Sequence, residues 1–368
     1  MTERTAEELR AAAAGFEIPG DFIDAIPYGT GHINETYLAT FSQAGTRVRY
    51  TIQRLNSSIF KDPRALMENV LRVTSHSRRR LIEAHDPDAS RKALTPVAAR
   101  EGGYVHFAAD GGAWRCYLFV ERTHTVDVVD GEAAAFEAAR AFARFQALLA
   151  DIPGGRLNET IPNFHNTPTR YEAFHAAVKA DAVGRAASAA PEIEFALSME
   201  KDAGRIVSLM QSGEMPERAT HNDTKINNVL LDDATGEGIC VIDLDTLMPG
   251  SALYDFGDMV RSATLNMAED SRDWRNAICR PEIFKALARG FLSGGDFLTS
   301  CEKANMTFGG ALMTLECGVR FLADYLDGDH YFRTARPEHN LDRCRTQFAL
   351  VRSILAQHDD LQGFVESL

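Results

Sequence analysis

His221-Asn222-Asp223-Thr224-Lys225-Ile226-Asn227-Asn228, joined through an apolar hairpin to Ile242-Asp243-Leu244-Asp245, is the stretch on which the reading of this chain turns. Val229-Leu230-Leu231 and Ile239 to Ile242 read as short strands around the turn Asp233 to Gly238, because apolar runs bounded by Asp, Thr and Gly favour a hairpin. Acidic and amide residues stand at its ends. An aspartate five residues before an asparagine, with a second aspartate returned beside them, supplies a carboxylate for an attacking hydroxyl and oxygen ligands for magnesium. Phosphoryl transfer asks for those groups and for little covalent chemistry from the protein. Without such a context the same residues would make a polar turn that caps and solvates a hairpin.

Working outward, the upstream region supplies a context. Tyr37 to Phe41 and Val48 to Leu55 flank the turn Ser42-Gln43-Ala44-Gly45, and an earlier strand begins near Phe22, so three strands open the chain after a short helix. Asp62-Pro63 reads as an N-cap with proline at the first helical position, and Leu66, Val70, Val73 and Leu81 keep helical spacing. Tyr104 to Ala108 and Ala113 to Val120 lie on either side of Asp110-Gly111-Gly112, a second hairpin. From Val126 the pattern turns helical, with Ala138, Phe142, Phe145 and Leu149 on one face. The expected fold is α+β with two lobes: a small antiparallel sheet in residues 1–122 and a mainly helical part in residues 123–368.

Composition bounds the partners. With 368 residues and 45% hydrophobic content, two packed cores are the natural expectation. A net charge of -13, from 39 basic and 52 acidic residues, repels nucleic acid and anionic membranes. The run Arg78-Arg79-Arg80 reads as a solvated helix face. The six cysteines form no CxxC pair and read as buried thiols of a reducing compartment. The N-terminus has acidic residues and no long apolar core, and no apolar stretch spans a bilayer, so a cytoplasmic protein is expected.

The H-x-D-x-x-x-x-N segment His221 to Asn228, with Ile242-Asp243, resembles the motif pair of the aminoglycoside phosphotransferase and choline kinase superfamily, distant relatives of protein kinases. That resemblance implies a protein-kinase-like fold using ATP and Mg2+, with Asp223 as catalytic base, Asn228 and Asp243 as magnesium ligands, and His221 shaping the loop. Asp245 is either a third metal-site oxygen or a polar strand end. Lys225 stands where a catalytic-loop lysine neutralises the γ-phosphate. Asp255, in Tyr254-Asp255-Phe256-Gly257-Asp258, matches a residue that bonds the catalytic-loop backbone. Gly29 and Gly31 lie in the loop between the first strands, where glycine lets backbone N–H groups approach phosphates. Phe119, Val120 and Glu121 match the adenine hinge. The third strand, Tyr50-Thr51-Ile52-Gln53-Arg54-Leu55, lacks the expected lysine, and Gln53 or Arg54 is the available substitute. Glu68 and Glu83 are the choices for the helix glutamate that would pair with such a base.

A narrower resemblance, to bacterial N-acetylhexosamine 1-kinases, rests on Gly31 to Tyr37, Asn56 to Phe60, Gly111 to Arg115, Phe164 to Pro168, His221 to Asn228, Ile242 to Ser251, Glu316 to Leu326 and Pro337 to Leu341. Relatives of that kind also carry glutamine-type residues in place of the strand lysine. The implied acceptor is N-acetylglucosamine or N-acetylgalactosamine, phosphorylated at the anomeric oxygen, with His32, Asn34, Asp223, Arg320 and Tyr331 as sugar contacts. An arginine on the apolar helix Leu315 to Leu326 needs a ligand or a carboxylate beside it. Aminoglycoside, homoserine, choline and methylthioribose kinases are alternatives within the fold, and a pseudokinase that binds without turnover is an alternative outside catalysis.

Overall fold

The computed structural model describes residues 4–29 and 33–368. Thr5 caps α1 (Ala6–Ala14) by accepting from Glu8 N while the Glu8 carboxylate accepts from Thr5 N. Strands β1 (Asp21–Pro27), β2 (Glu35–Gln43), β3 (Thr46–Arg54), β4 (His106–Phe107) and β5 (Ala113–Leu118) form an antiparallel sheet in the order β1-β2-β3-β5-β4. Side chains alternate across it. Tyr37, Tyr50, Ile52, Trp114 and Cys116 pack with Leu9, Ala12 and Ala13 of α1 on one face. On the other, Thr36, Gln53 and Arg115 make one row across β2, β3 and β5.

Between β3 and β4 run α2 (Pro63–Glu83) and α3 (Ala89–Lys92). Asp62 caps α2 as its sequence implies, accepting from Arg64 N and Ala65 N, and Leu66, Val70, Val73 and Leu81 form its buried stripe. Arg79 and Arg80 lie on its exposed side.

The second part holds β6 (Thr123–His124), α4 (Glu132–Leu149), α5 (Thr167–Ala180), α6 (Ala190–Ala203), α7 (Arg205–Gln211), β7 (Arg218–Thr220), β8 (Val229–Asp232), β9 (Gly238–Val241) and β10 (Met248–Gly250). Helices α8 (Ala252–Ala263), α9 (Pro281–Ser293), α10 (Ser300–Lys303), α11 (Met306–Asp327), α12 (His339–Ala356) and α13 (His358–Glu366) complete it. The expected hairpin is β8 with β9, extended by β6, and a β7-β10 ladder frames it. Those additional strands are two or three residues long, too short to show a period of two in sequence.

The α1 face of the sheet has its own core, while a second core is shared across the expected boundary. One apolar cluster runs from Val70 and Val73 of α2 through Tyr117 and Val120 to Phe142 of α4 and Phe256 of α8, crossing residue 122 without a break. The buried stripe of α2 faces the helical part as well as the sheet. Another cluster joins α5, α6, α11 and α12. Helices α8 and α11 meet closely: a Cβ on Gly257 would lie 2.4 Å from Gly309 O and 2.5 Å from Met313 Cγ. Among the described residues no helix is long and apolar enough to cross a membrane. All six cysteines are free, with Cys116, Cys240, Cys279 and Cys344 buried.

Candidate active site

The loop between β7 and β8 is shaped from below by Asp255 on α8. Its Oδ2 accepts from His221 N at 3.0 Å and its Oδ1 from Asn222 N at 2.7 Å, while Gln146 of α4 donates to Oδ2. Thr224 Oγ1 donates to Asp255 O at 2.6 Å. These bonds hold Asn222 at φ 65, a left-handed conformation that asparagine tolerates through its own side-chain hydrogen bonds. His221 Nε2 donates to Ile242 O at 2.8 Å and Nδ1 accepts from Asp223 N at 3.3 Å, so the loop is tied to the end of β9. Asp255 and His221 occupy the scaffolding positions that the sequence assigns them.

Asp223 projects from this loop, half-buried, with Lys225 Nζ 2.8 Å from its Oδ1. Partial burial works against the Lys225 charge, but Asp223 and Asp258 beside it prevail and raise its pKa. Asn228 Nδ2 donates to Asp223 O at 2.8 Å, which orients the amide so that its Oδ1 could serve as a ligand atom. Ile242 N donates to Asn228 O at 2.9 Å, bringing Asn228 and the Asp243 turn together. Asp243 adopts φ 58, a left-handed conformation uncommon for a residue with a side chain. Its surface remains exposed to the cleft although protein surrounds it on most sides. That enclosure, with the charges of Asp245 and Asp223, pushes its carboxyl up to about 6 against the pull of Arg115.

Magnesium carried by a nucleotide needs one or two side-chain oxygens, with phosphates and water supplying the remainder. The Asn228 amide and the Asp243 carboxylate match that need. Among the described residues no group of three or more His, Cys, Asp or Glu forms a metal cage. The donor set thus suits a nucleotide-borne ion better than a resident one.

Asp245 is placed differently. It is buried, its Oδ1 is paired with Arg115 Nη1 of β5, and its Oδ2 accepts from Asn34 Nδ2 at 2.5 Å. Both of its carboxylate oxygens are thus engaged by side chains of the protein, which fits the second of the two roles the sequence leaves open for it. Asn34, expected at the sugar, also accepts from Asn56 N at 3.0 Å. Gln53 stands on the cleft side of the sheet, accepting from Arg115 Nε at 2.8 Å and donating to Thr36 Oγ1 at 3.0 Å. Arg54 points to the opposite face, toward Glu35 and Asp110. Neither helix glutamate meets a strand cation: Glu68 is exposed beside Asn158, and Glu83 lies near Arg79 and Arg80. Among the buried polar residues of α2, Asn69 donates to Asn158 O at 2.8 Å and to Leu247 O at 2.9 Å. Arg115 and Asn69 are the residues missed from the sequence. Arg115 ends one of the stretches that carried the narrower resemblance, which was the available signal.

At the hinge, Phe119 N donates to Arg49 O at 3.1 Å, and the Arg49 guanidinium sits over the Phe119 ring at 4.3 Å while pairing with Glu121. Val120 is buried and its carbonyl accepts from Thr123 Oγ1 at 2.8 Å. Tyr28 meets the Phe119 ring edge-on at 5.6 Å. Gly29 has φ 80 with open space where a Cβ would stand. Gly31 and His32 lie outside the described residues.

Arg320 projects from α11 amid the rings of Phe164, Tyr331 and Phe332, each within 6 Å of its guanidinium carbon. Tyr331 is largely exposed, and its hydroxyl accepts from Arg320 Nη2 at 3.5 Å. One helical turn before Arg320, Glu316 is buried against His165 Nδ1 at 2.8 Å and Thr167 Oγ1 at 2.7 Å. His165 Nε2 lies 2.9 Å from Asn222 O, the carbonyl just before Asp223. This strut connects the Arg320 wall to the catalytic loop. Its stretch, Phe164 to Pro168, also stood out in the sequence without a role attached.

An acidic loop with an amide and a second aspartate, lying beneath a five-stranded sheet and above a helical body, defines a kinase-like phosphotransferase acting on a small molecule. The chain belongs to the phosphotransferase enzyme family whose model matches residues 24–290. The aminoglycoside phosphotransferase of Alicyclobacillus acidocaldarius superimposes with a TM-score of 0.61 at 12% identity, over 98% of this chain and 96% of that one. Choline kinase of Cryptosporidium parvum gives 0.56 at 13% identity over 98% of both chains. The AMP-bound complex of a spectinomycin phosphotransferase gives 0.54 at 12%, over 91% of this chain and 93% of that one. At these identities the likeness carries the two-lobed fold.

Proposed function

We propose that this phosphotransferase transfers the γ-phosphoryl group of ATP to the anomeric hydroxyl of N-acetylglucosamine or N-acetylgalactosamine. The observation that carries the sugar reading is the cationic and aromatic wall around Arg320. Arg170, whose guanidinium donates to Phe164 O at 2.6 Å, is held below its ordinary pKa by burial and by Arg320. Two arginines on one wall repel the ammonium groups of choline and of aminoglycosides. They suit a neutral polyol whose hydroxyls and amide carbonyl accept from guanidinium and whose apolar ring face lies on Phe164 or Tyr331.

In this reading Asp223 orients the anomeric hydroxyl and takes its proton as the bond to phosphorus forms. Lys225, now on Asp223, places its charge beside the transferred phosphoryl. Asn228 and Asp243 would hold a nucleotide-bound magnesium ion, which would neutralise phosphate charge. Gly29 and Gly31 cover the phosphates, while Phe119, Val120 and Glu121 receive adenine. His32, Arg320 and Tyr331 contact the sugar, and Asn34 acts from behind through Asp245.

The test is incubation with ATP, Mg2+ and a panel of sugars, aminoglycosides and amino alcohols, followed by phosphorus NMR of the product. Coupling of the phosphorus to the single anomeric proton is the expected result. Coupling to a methylene pair would indicate a 6-kinase. Turnover confined to aminoglycosides or amino alcohols would defeat the sugar reading and leave the phosphotransferase standing.

A further inference from the structure

Arg115 is 1% exposed, so it offers no surface to a phosphate, and its guanidinium is divided between Gln53 and Asp245. Two buried charges drawn from distant parts of the chain contribute less to stability than apolar residues of the same size would, and such pairs persist where they specify a geometry. Here the geometry is that of the Asp243 turn. Asp245 sits in a one-turn 3-10 helix, Leu244–Thr246, which starts from the left-handed Asp243. A strained residue keeps its conformation only when its surroundings over-determine it. The sheet side of the molecule grips this turn at three points: Arg115 of β5 on Asp245 Oδ1, Asn34 of the β1–β2 loop on Asp245 Oδ2, and Asn69 of α2 on Leu247 O.

We propose that Arg115 is a positioning residue for metal-bound nucleotide. Acting through Asp245, it locks the Asp243 turn to the sheet that carries the candidate hinge and the β1–β2 loop, a role distinct from that of a phosphate-holding strand lysine. The inference rests on reading Asp243 as a magnesium ligand and is independent of the acceptor.

Nucleotide binding measured by calorimetry with and without Mg2+ tests it, because no acceptor is needed. Arg115→Met alone strands a buried carboxylate, so the decisive protein is the double variant Arg115→Met with Asp245→Leu, which removes both charges at similar volume. It is expected to melt near the wild-type temperature and to bind ADP without metal within about threefold of wild type, while the gain in affinity from Mg2+ falls by about tenfold or more. Asp245→Asn, which keeps the shape but offers one acceptor oxygen to the two donors Arg115 and Asn34, should lose part of that gain. A double variant with the full magnesium gain overturns the proposal, as does one that loses ADP affinity equally with and without metal. Failure of the sugar reading would leave wild-type magnesium-dependent binding intact, so the two outcomes are distinguishable.

Discussion

His165 Nε2 lies 2.9 Å from Asn222 O while its Nδ1 faces the Glu316 carboxylate at 2.8 Å, so both ring nitrogens meet acceptors, an arrangement that favours the imidazolium. Burial disfavours this imidazolium, but Glu316, the Asn222 carbonyl and Asp258 prevail and raise its pKa. Glu316 is lowered by the same pairing, against its own burial. The ring also packs between Phe164 and Tyr254.

A pH dependence follows. The stabilisation owed to His165 is complete below its unfolded pKa of about 6.5 and fades as pH rises through the raised folded value. The Glu316 share is complete above about 4.3 and is lost as pH falls through its lowered value. Melting temperature and kcat/KM should both decline on the alkaline side above about 6.5. His165→Gln should be less stable at pH 6 and lack that decline. Parallel wild-type and variant curves would remove His165 from the strut.

Asp223→Asn should keep the fold and nucleotide binding, since the Asp255 bonds that shape the loop go to His221 and Asn222, while turnover falls by about 10²- to 10⁴-fold. Asp243→Ala should instead weaken binding only when Mg2+ is present. A calorimetric titration paired with a steady-state assay separates the two, and near-wild-type turnover in Asp223→Asn would exclude it as base.

Arg320→Ala should raise KM for the sugar by about 10- to 100-fold, the loss of a charge-assisted hydrogen bond worth about 1.5–3 kcal/mol, and leave KM for ATP near its wild-type value. Tyr331→Phe keeps the ring and should cost less. Equal changes in both KM values would mean that Arg320 supports the fold rather than the acceptor.

Gly257→Ala should destabilise the protein by about 1–3 kcal/mol, because the new methyl meets the backbone of α11 at Gly309 rather than a side chain that can swing aside. Chemical denaturation measures it. Since Gly257 follows Asp255 on α8 by two residues, the variant should also lower turnover more than its melting temperature alone explains.

The sequence by itself determined the elements whose cause is local. The Asp62-Pro63 start of α2, the β2–β3 and β4–β5 turns, and the β8–β9 hairpin all rest on caps, glycines and periodicity acting within a few residues. The spacing from His221 to Asp243 likewise marked the phosphotransferase loop, and the resemblance to a known family added Asp255. Only the tertiary structure decided the partnerships. Arg115 meets Asp245, Asn69 meets Leu247, and His165 joins Glu316 to Asn222 across separations in the chain that no local pattern spans. Gln53 and Arg54 are adjacent in sequence and both polar, yet the strand's period of two sends one to the cleft and the other to the opposite face. Which of them faces the cleft, and that a buried arginine stands beside it, depends on the register of β3 with β5, and register is set by the assembled sheet rather than by either strand alone.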